Sequence, residues 1–206
     1  MFEERTFLNV FTPKKITASE ALYMKFAVID TETTWTDEVM SIGIVIADGD
    51  TKKELNSKYY IISPEYKTGG MFSATIADAP KKKTFVMTRN SAIEDIKKLL
   101  KSENVKVIFA YNANFDYKHL PELEAFTWID IMKIAAYRQY NAFIPDHAPC
   151  CKTGRLKSGY GVESILNMIS GGYSETHNAF YDAVDELRIV ELLGHDIEVY
   201  KIAVIN

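Results

Sequence analysis

The stretch FAVIDTETTW, residues 26–35, decides the fold that this sequence predicts. Its first four residues are apolar and the fifth is an acid, a pattern typical of a buried strand that ends on a carboxylate. Asp30 and Glu32 alternate there, and residues i and i+2 of an extended chain point to the same side. Two neighbouring carboxylates are costly to bury unless a divalent metal neutralises them. Oxygen-only ligands suit Mg²⁺ or Mn²⁺ better than zinc. The alternative is one solvent-exposed acid pair in a turn.

The segments around this strand predict an α/β domain with a mixed sheet. Strands at 39–47 and 55–63, joined through a turn at Gly49, would pair with it as an antiparallel meander. Residues 64–90 lack a regular pattern and are predicted to be a long loop with some helix. The remaining predicted elements are strands at 105–111 and at the start of 127–137, and helices at 91–102, within 114–125, at the end of 127–137, at 160–169 and at 178–193.

Length and composition predict one globular domain with a sizeable core, because the chain has 206 residues, of which 47% are hydrophobic and 25% are charged. We divide it into an N-terminal extension at 1–23, a catalytic core at 24–194 and a C-terminal tail at 195–206. Within the extension, Pro13 precedes a possible short helix at 16–24. No apolar run is long enough for a membrane span, and no secretory signal is expected.

The net charge of −4 argues against a protein that binds nucleic acid through a broad basic surface. It does not exclude a nucleic-acid enzyme, since carboxylates that hold metals add to the acidic count. The two cysteines, Cys150 and Cys151, are adjacent and suit neither a disulfide nor a zinc site. A reducing cytoplasm is therefore the expected compartment.

A second group of polar residues, in FAYNANFDYKHL, follows the strand predicted at 105–111. Asn112, Asn114 and Asp116 lie just past the end of that strand, where open α/β sheets place their ligands. The alternative is that one asparagine caps a helix and that Asp116 sits in its first turn without a further role.

A third group, in ETHNAFYDAVDEL, surrounds the start of the last helix. Asn178 is the predicted cap and Asp182 lies in the first turns, while His177 precedes the helix and can fold back toward the same site. An exposed loop histidine and an acid that favours a helix N-terminus are the alternatives. We interpret Asp185 and Glu186 as acids of that second kind.

Taken together, these motifs resemble the DEDDh exonucleases. The family pattern is D-x-E after a buried first strand, N-x-x-F-D after a later strand, and H-x-x-x-x-D at the start of the last long helix. The family includes the proofreading subunit of bacterial DNA polymerase III, ribonuclease T and oligoribonuclease, and the resemblance extends from Phe26 to Leu193. A sister group has tyrosine four residues before the last acid. Asn178 occupies that position here, which favours the histidine variant.

The resemblance implies a ribonuclease H-like three-layer fold with a mixed five-stranded sheet flanked by helices. It also implies a 3′→5′ exonuclease that acts on the single-stranded 3′ end of DNA or RNA and releases nucleoside 5′-monophosphates. His177 would be the general base, because an imidazole ring can accept and release a proton under near-neutral conditions. Two Mg²⁺ or Mn²⁺ ions, roughly 3.5–4 Å apart, would clamp the attacking and leaving oxygens. The implied metal ligands are Asp30, Glu32, Asp116 and Asp182.

The substrate-binding candidates are Thr33, Thr34, Trp35 and Asn112. Many family members have glycine at the position of Trp35 and histidine at that of Tyr111. Trp35 could stack on the terminal base or pack in the core.

Members of the DEDDh family are often dimers, so a homodimer is compatible with the resemblance. Two other functions stay open: a catalytically idle nucleic-acid binding module on the same fold, and a ribonuclease H-like endonuclease.

Overall fold

The computed structural model describes residues 25–206, so the predicted extension at 1–23 and its short helix lie outside the described residues. A six-stranded sheet forms the centre of the protein. Its strands are β1 Lys25–Thr33, β2 Val39–Asp48, β3 Glu54–Ile62, β4 Thr84–Met87, β5 Val107–Ala110 and β6 Thr127–Asp130. The α-helices are α1 Arg89–Ser102, α2 Asn114–His119, α3 Met132–Ala135, α4 Val162–Ser170 and α5 Ala179–Leu193. Short 3₁₀ turns occupy Glu65–Thr68, Ser73–Thr75, Lys81–Lys83, Pro121–Leu123 and Ile197–Ala203.

The sheet has the order β4-β3-β2-β1-β5-β6 and is mixed, as predicted. Strands β1, β2 and β3 form the antiparallel meander, whereas β4 pairs in parallel with β3, and β5 and β6 continue the other edge in parallel. The predicted number of five strands is wrong, because β4 lies within the segment interpreted as a loop. That strand has only four residues, and its central Phe85 and Val86 are exposed at the sheet edge, so no buried pattern marks it.

Strand β1 is buried on both faces, which makes the domain three-layered. Phe26 and Val28 pack into a core formed with α4, α5 and the C-terminal 3₁₀ turn. Ala27 and Ile29 face the opposite side and pack with α1 and Trp128. This alternation follows from the period of two in an extended chain. The predicted α/β architecture with helices on both sides of the sheet is therefore confirmed.

The C-terminal segment completes the first of these cores. Ile197, Tyr200 and Ala203 are buried in it, and the side-chain oxygen of Asn206 accepts a hydrogen bond of 2.8 Å from the backbone N–H of Trp128 in β6. Residues 195–206 thus contribute to the packing of the sheet. Among the described residues, no helix combines the length and apolar character that crossing a membrane requires.

Gly43 allows α5 to approach the centre of the sheet. It pairs with Asp30 across the ladder of β1 and β2. A Cβ atom at position 43 would lie only 1.9 Å from the carbonyl oxygen of Ala179, the first residue of α5. Only glycine fits such an approach of two backbones. The missing side chain therefore brings the first turn of α5, which carries Asp182, next to the end of β1.

Candidate metal centre

The end of β1 and the first turn of α5 bring three carboxylates together. Asp30 and Glu32 lie two residues apart on β1, and Asp182 lies on α5. One carboxylate oxygen from each of the three lies within 4.8 Å of the other two. Asn178 caps α5 by accepting a hydrogen bond of 3.0 Å from the backbone N–H of Phe180, which fixes where the helix begins. The cap and the strand end together determine the geometry of this acidic cluster.

Asp116 joins the cluster from α2, which follows β5. Its side chain is 1% exposed, and it accepts a hydrogen bond of 2.8 Å from the hydroxyl of Thr31, the residue between the two acids of β1. Its negative charge raises the pKa of both Asp30 and Glu32. The structure therefore brings Asp30, Glu32 and Asp182 together and holds Asp116 against Thr31 of the same strand, outside the group of oxygens that lie within 4.8 Å of one another.

The four carboxyl groups have raised pKa values because they are removed from water and repel one another. Burial, followed by the charge of Asp116, raises the pKa of Asp30 well above its usual range. Burial raises the pKa of Glu32 to about 7 and that of Asp116 to about 7. Burial and nearby acids raise the pKa of Asp182 to about 8. Such shifts often mark functional sites.

The described chain offers this negative charge no ion pair with a lysine or an arginine. No lysine or arginine of residues 25–206 forms an ion pair with any of the four acids. Moreover, the Oδ1 atom of Asp182 is buried without a hydrogen-bond partner. An all-oxygen donor set with surplus negative charge suits a hard divalent cation such as Mg²⁺ or Mn²⁺.

His177 lies at the open side of the cluster, directly before α5. One of its ring nitrogens lies within 4.8 Å of carboxylate oxygens of both Asp182 and Glu175. The ring stacks on Phe72 with 4.3 Å between centroids, and the backbone carbonyl accepts a hydrogen bond from Thr75. The backbone at His177 has a positive φ of 54°, which turns the chain sharply before the helix. The side chain is 42% exposed, so its ring can meet a bound molecule.

The four substrate-binding candidates lie at the end of β1, on the turn that follows it, and on the turn between β5 and α2. Trp35 is 68% exposed, so it is not packed in the core. Thr34 is buried, and its hydroxyl accepts hydrogen bonds of 3.2 Å from the backbone N–H groups of Thr36 and Glu38, which shapes the turn below Trp35.

The other two candidates also have backbone roles. The carbonyl oxygen of Thr33 lies so close to Gly70 that a Cβ there would be 2.2 Å from it. Asn112 has a φ of 58° and donates its backbone N–H to Asp130 over 3.0 Å, at the turn between β5 and α2.

Glu186, which we interpreted as an acid near a helix N-terminus without a further role, lies buried in the structure. Its side chain is 2% exposed and its Oε2 atom has no hydrogen-bond partner. Burial, then the charge of Asp116, raises its pKa well above the usual range. A sequence signal existed, since residues i and i+4 share one face of a helix and Glu186 follows Asp182 at that spacing. Asp185 differs, because it is only partly buried and accepts a hydrogen bond from the hydroxyl of Tyr173.

Sequence reasoning also missed Glu175. Its Oε2 atom lies 3.9 Å from Nδ1 of His177, and its side chain is 19% exposed. Burial raises its pKa, whereas the nearby His177 lowers it. It comes from the irregular segment between α4 and α5, where no periodic pattern shows which way a side chain points.

Comparisons with known proteins find likeness in structure. No protein-family model matches the sequence, and no curated protein matches it. Among solved structures, the chain is similar to a full-length 3′-exonuclease, with a TM-score of 0.59 and 15% identity over 82% of this chain and 80% of that one. It is also similar to the nuclease domain of 3′hExo, described as a DEDDh family member bound to rAMP. There the TM-score is 0.60 and the identity 15%, over 82% of this chain and 90% of that one.

A third similar structure is that of E. coli exonuclease I in complex with a dA16 oligonucleotide. The TM-score is 0.58 and the identity is 14%, over 86% of this chain and 42% of that one. The chain thus spans less than half the length of exonuclease I. The similarity to these three proteins confirms, at the level of the fold, the predicted resemblance to DEDDh exonucleases. The chain has the ribonuclease H-like α/β fold of these 3′ exonucleases, although its sheet has six strands where five were predicted.

Proposed function

We propose that this protein is a metal-dependent 3′→5′ exonuclease that removes nucleoside 5′-monophosphates from single-stranded nucleic acid. The observation that carries the proposal is the meeting of Asp30, Glu32 and Asp182 within 4.8 Å, at the place where the fold joins β1 to α5. Asp116 adds a fourth carboxylate, held by Thr31. Surface acids do not produce such a cluster, because at least two of the four are almost fully buried.

We assign these four carboxylates to two divalent cations, Mg²⁺ or Mn²⁺. When bound, the ions would stabilise the attacking and leaving oxygens of an in-line displacement at phosphorus. The chain's contribution is to hold the ligands in place through the rigid end of β1 and the capped start of α5. The buried setting strengthens every charge interaction with the phosphate.

His177 is the proposed general base. In the reaction the ring accepts a proton from water, the water oxygen bonds to phosphorus, and the bond from phosphorus to the 3′ oxygen of the preceding nucleotide breaks. The products are a nucleoside 5′-monophosphate and a strand shortened by one residue with a 3′ hydroxyl. The stack on Phe72 and the bond from Thr75 orient the ring toward Asp182, and a neutral ring nitrogen is a good base near pH 7.

The 3′ end of the strand would enter between His177 and the turn that carries Trp35. The wide exposure of that indole leaves its face free to stack on a base without reading sequence. Thr33 and Asn112 would bind at the same entrance, with Thr34 supporting the turn from below. The structures similar to this one include complexes with rAMP, a histone mRNA stem-loop and a dA16 oligonucleotide, which supports a nucleic-acid substrate.

The test is digestion of 5′-labelled single strands of DNA and RNA of matched sequence, with Mg²⁺ or Mn²⁺. We expect a ladder that shortens from the 3′ end, stops in chelator, and is absent for Asp182→Asn. A circular single strand is the control, because an exonuclease needs an end. Cleavage of the circle would identify an endonuclease, and binding without any cleavage would identify an idle binding module.

A further inference from the structure

The segment between α3 and α4, residues 136–161, carries a local excess of positive charge, and we call it the basic loop. It contains four lysine or arginine side chains and one acid, Asp146, whereas the whole chain has a net charge of −4. The four cations are Arg138, Lys152, Arg155 and Lys157. Three of them are exposed, and Arg155 is half-buried. Cations concentrated in one segment of an acidic chain create a local surface that attracts anions.

The cations of the basic loop have no acidic partners. None of the four takes part in an ion pair within residues 25–206. By contrast, Lys53, Lys83 and Arg89 each pair with a glutamate. Unpaired surface cations are common by themselves, since charge runs are usually solvated. The basic loop differs from such a run in its fixed shape and in its position.

The shape of the basic loop is fixed by backbone pairing and by buried anchors. An antiparallel bridge joins Tyr137 to Arg155. A second antiparallel bridge joins Cys150 to Leu156. Ile144 and Leu156 are buried in the core that contains α4 and α5. A surface that is ordered before binding loses less conformational freedom when a ligand binds.

The end of the basic loop lies at the same edge of the sheet as the candidate metal centre. The hydroxyl of Tyr111 donates a hydrogen bond to the carbonyl oxygen of Tyr160. Tyr111 directly follows β5, which pairs in parallel with β1. In that register Val28 lies opposite Phe109, so that each strand reaches Asp30 or Tyr111 two residues later. The basic loop therefore begins its course over the surface beside the end of β1.

Exposed aromatic rings accompany the cations of the basic loop. Tyr160 is 37% exposed and Phe143 is 47% exposed. The guanidinium carbon of Arg155 lies 5.2 Å from the centroid of the Tyr160 ring, within the range of a cation–π contact. Surfaces that hold single-stranded nucleic acid combine cations for the phosphates with aromatic rings for the bases. The composition of the basic loop fits this chemistry.

Resting on the proposed function, we propose that the basic loop binds the single strand on the 5′ side of the cleaved bond. Arg155 and Tyr160 contact the phosphate and base that leave the metal centre first, and Lys152 and Lys157 bind phosphates further along. The remainder of the chain is net acidic and repels a polyanion, so the basic loop gives the strand a path over the surface. Contacts from lysine and arginine to phosphates carry no sequence information, so the loop holds strands of any sequence.

The test measures how strand binding depends on salt. The triple variant carries Lys152→Gln, Arg155→Gln and Lys157→Gln, and Arg138 is kept because its guanidinium donates to the carbonyl oxygen of Ala148 within the loop. The probe is a long fluorescent single strand with phosphorothioate linkages, which slow hydrolysis, and its anisotropy is followed at constant Mg²⁺ and increasing KCl. Each phosphate contact contributes about 0.7 to the slope of log Kd against log salt for a single strand. The slope should therefore fall by about 2 in the triple variant, with weaker binding at low salt.

The matched control removes three positive charges from another face of the protein. It carries Lys97→Gln, Lys98→Gln and Lys101→Gln, all at exposed positions of α1. Helix α1 packs in the core on the opposite side of the sheet from Ile144 and Leu156 of the basic loop. The salt slope of this control should equal that of the wild type. A dinucleotide is a second control, because its one phosphate is the one that is cleaved, so the triple variant should lose far less affinity for it than for the long strand.

Melting temperatures show whether each variant is folded. If the triple variant is not, Lys152→Gln with Lys157→Gln leaves the Arg155–Tyr160 contact intact, and the slope should then fall by about 1.4. An unchanged slope and affinity in a folded variant would overturn the proposal. Strand affinity that is retained while the variant changes from dimer to monomer would overturn it as well, because the basic loop would then bind a second copy of the chain.

The outcomes separate this inference from the proposed nuclease activity. Weaker strand binding by the triple variant, in a protein whose wild type digests no nucleic acid, would keep the binding surface and overturn the nuclease. Digestion by the wild type, with unaltered strand binding in the triple variant, would do the reverse.

Discussion

Replacing Asp182 with asparagine should make the metal-free protein more stable at alkaline pH. The pKa of Asp182 is raised to about 8 by burial and by nearby acids, whereas an unfolded aspartate titrates near 4. Between these two values the folded protein binds a proton that the unfolded chain has released. The stability of the wild type therefore falls as pH rises from about 4 to about 8, because the unfolded state holds fewer protons.

The magnitude follows from the size of the shift. One group contributes at most about 1.4 kcal/mol per pH unit, or about 5 kcal/mol over the whole window. Because the four carboxylates all repel one another, removing one relieves only part of the repulsion. We therefore expect the free energy of unfolding to change by about 2–4 kcal/mol over this pH range. The asparagine amide is buried as well, but that cost is the same at every pH. This cost cancels when the stability difference between variant and wild type at pH 8.5 is compared with the stability difference at pH 4.5.

The assay is urea unfolding in chelator at both pH values, followed by tryptophan fluorescence. The stability difference, variant minus wild type, should increase by about 2–4 kcal/mol from the lower to the higher pH. Glu191→Gln should show no such increase, since Glu191 is partly exposed and paired with Lys53. Saturating Mn²⁺ should make the wild type more stable than the variant, because a ligand that binds only the folded wild type stabilises it. A difference independent of pH would refute the reasoning.

Three further changes test the rest of the site and the fold. His177→Ala should lower the rate of hydrolysis by about 10²–10⁴-fold, the usual contribution of a general base, while the Mn²⁺ affinity from calorimetry changes little. Trp35→Ala should weaken single-strand binding, measured by fluorescence anisotropy, by about 5- to 150-fold, since stacking contributes about 1–3 kcal/mol. Its melting temperature should barely change, because the indole is 68% exposed. Gly43→Ala should destabilise the fold by about 1–3 kcal/mol or more in urea unfolding, since its Cβ would lie 1.9 Å from the Ala179 carbonyl oxygen.

Each of these expectations has an outcome that contradicts it. A full rate for His177→Ala would make the histidine an ordinary loop residue. Unchanged affinity in Trp35→Ala would remove stacking from the proposed entrance. A Gly43→Ala variant as stable as the wild type would mean that α5 can shift away from β2 without any loss of stability. Digestion by that variant should then also be unaltered.

The parts of this protein that could be predicted from sequence are those determined by short-range rules. The alternation in FAVIDTET follows from the period of two in a strand, and it correctly placed Asp30 and Glu32 on one side of β1. The start and end of α5 follow from Asn178 as its cap and Gly194 in the left-handed conformation. Such signals need only a few neighbouring residues, so they are present in the amino-acid order itself.

Features that depend on contacts between distant segments were decided only by the tertiary structure. Strand β4 forms because β3 offers it an edge to pair with, although its own four residues show no buried pattern. The burial of Glu186 depends on what packs against α5, since an acid at that spacing looks the same on a solvated helix. The closeness of α5 to Asp30 depends likewise on the missing Cβ of Gly43. The physical reason is common to all three: burial and charge repulsion belong to pairs of residues that the chain brings together only when it folds.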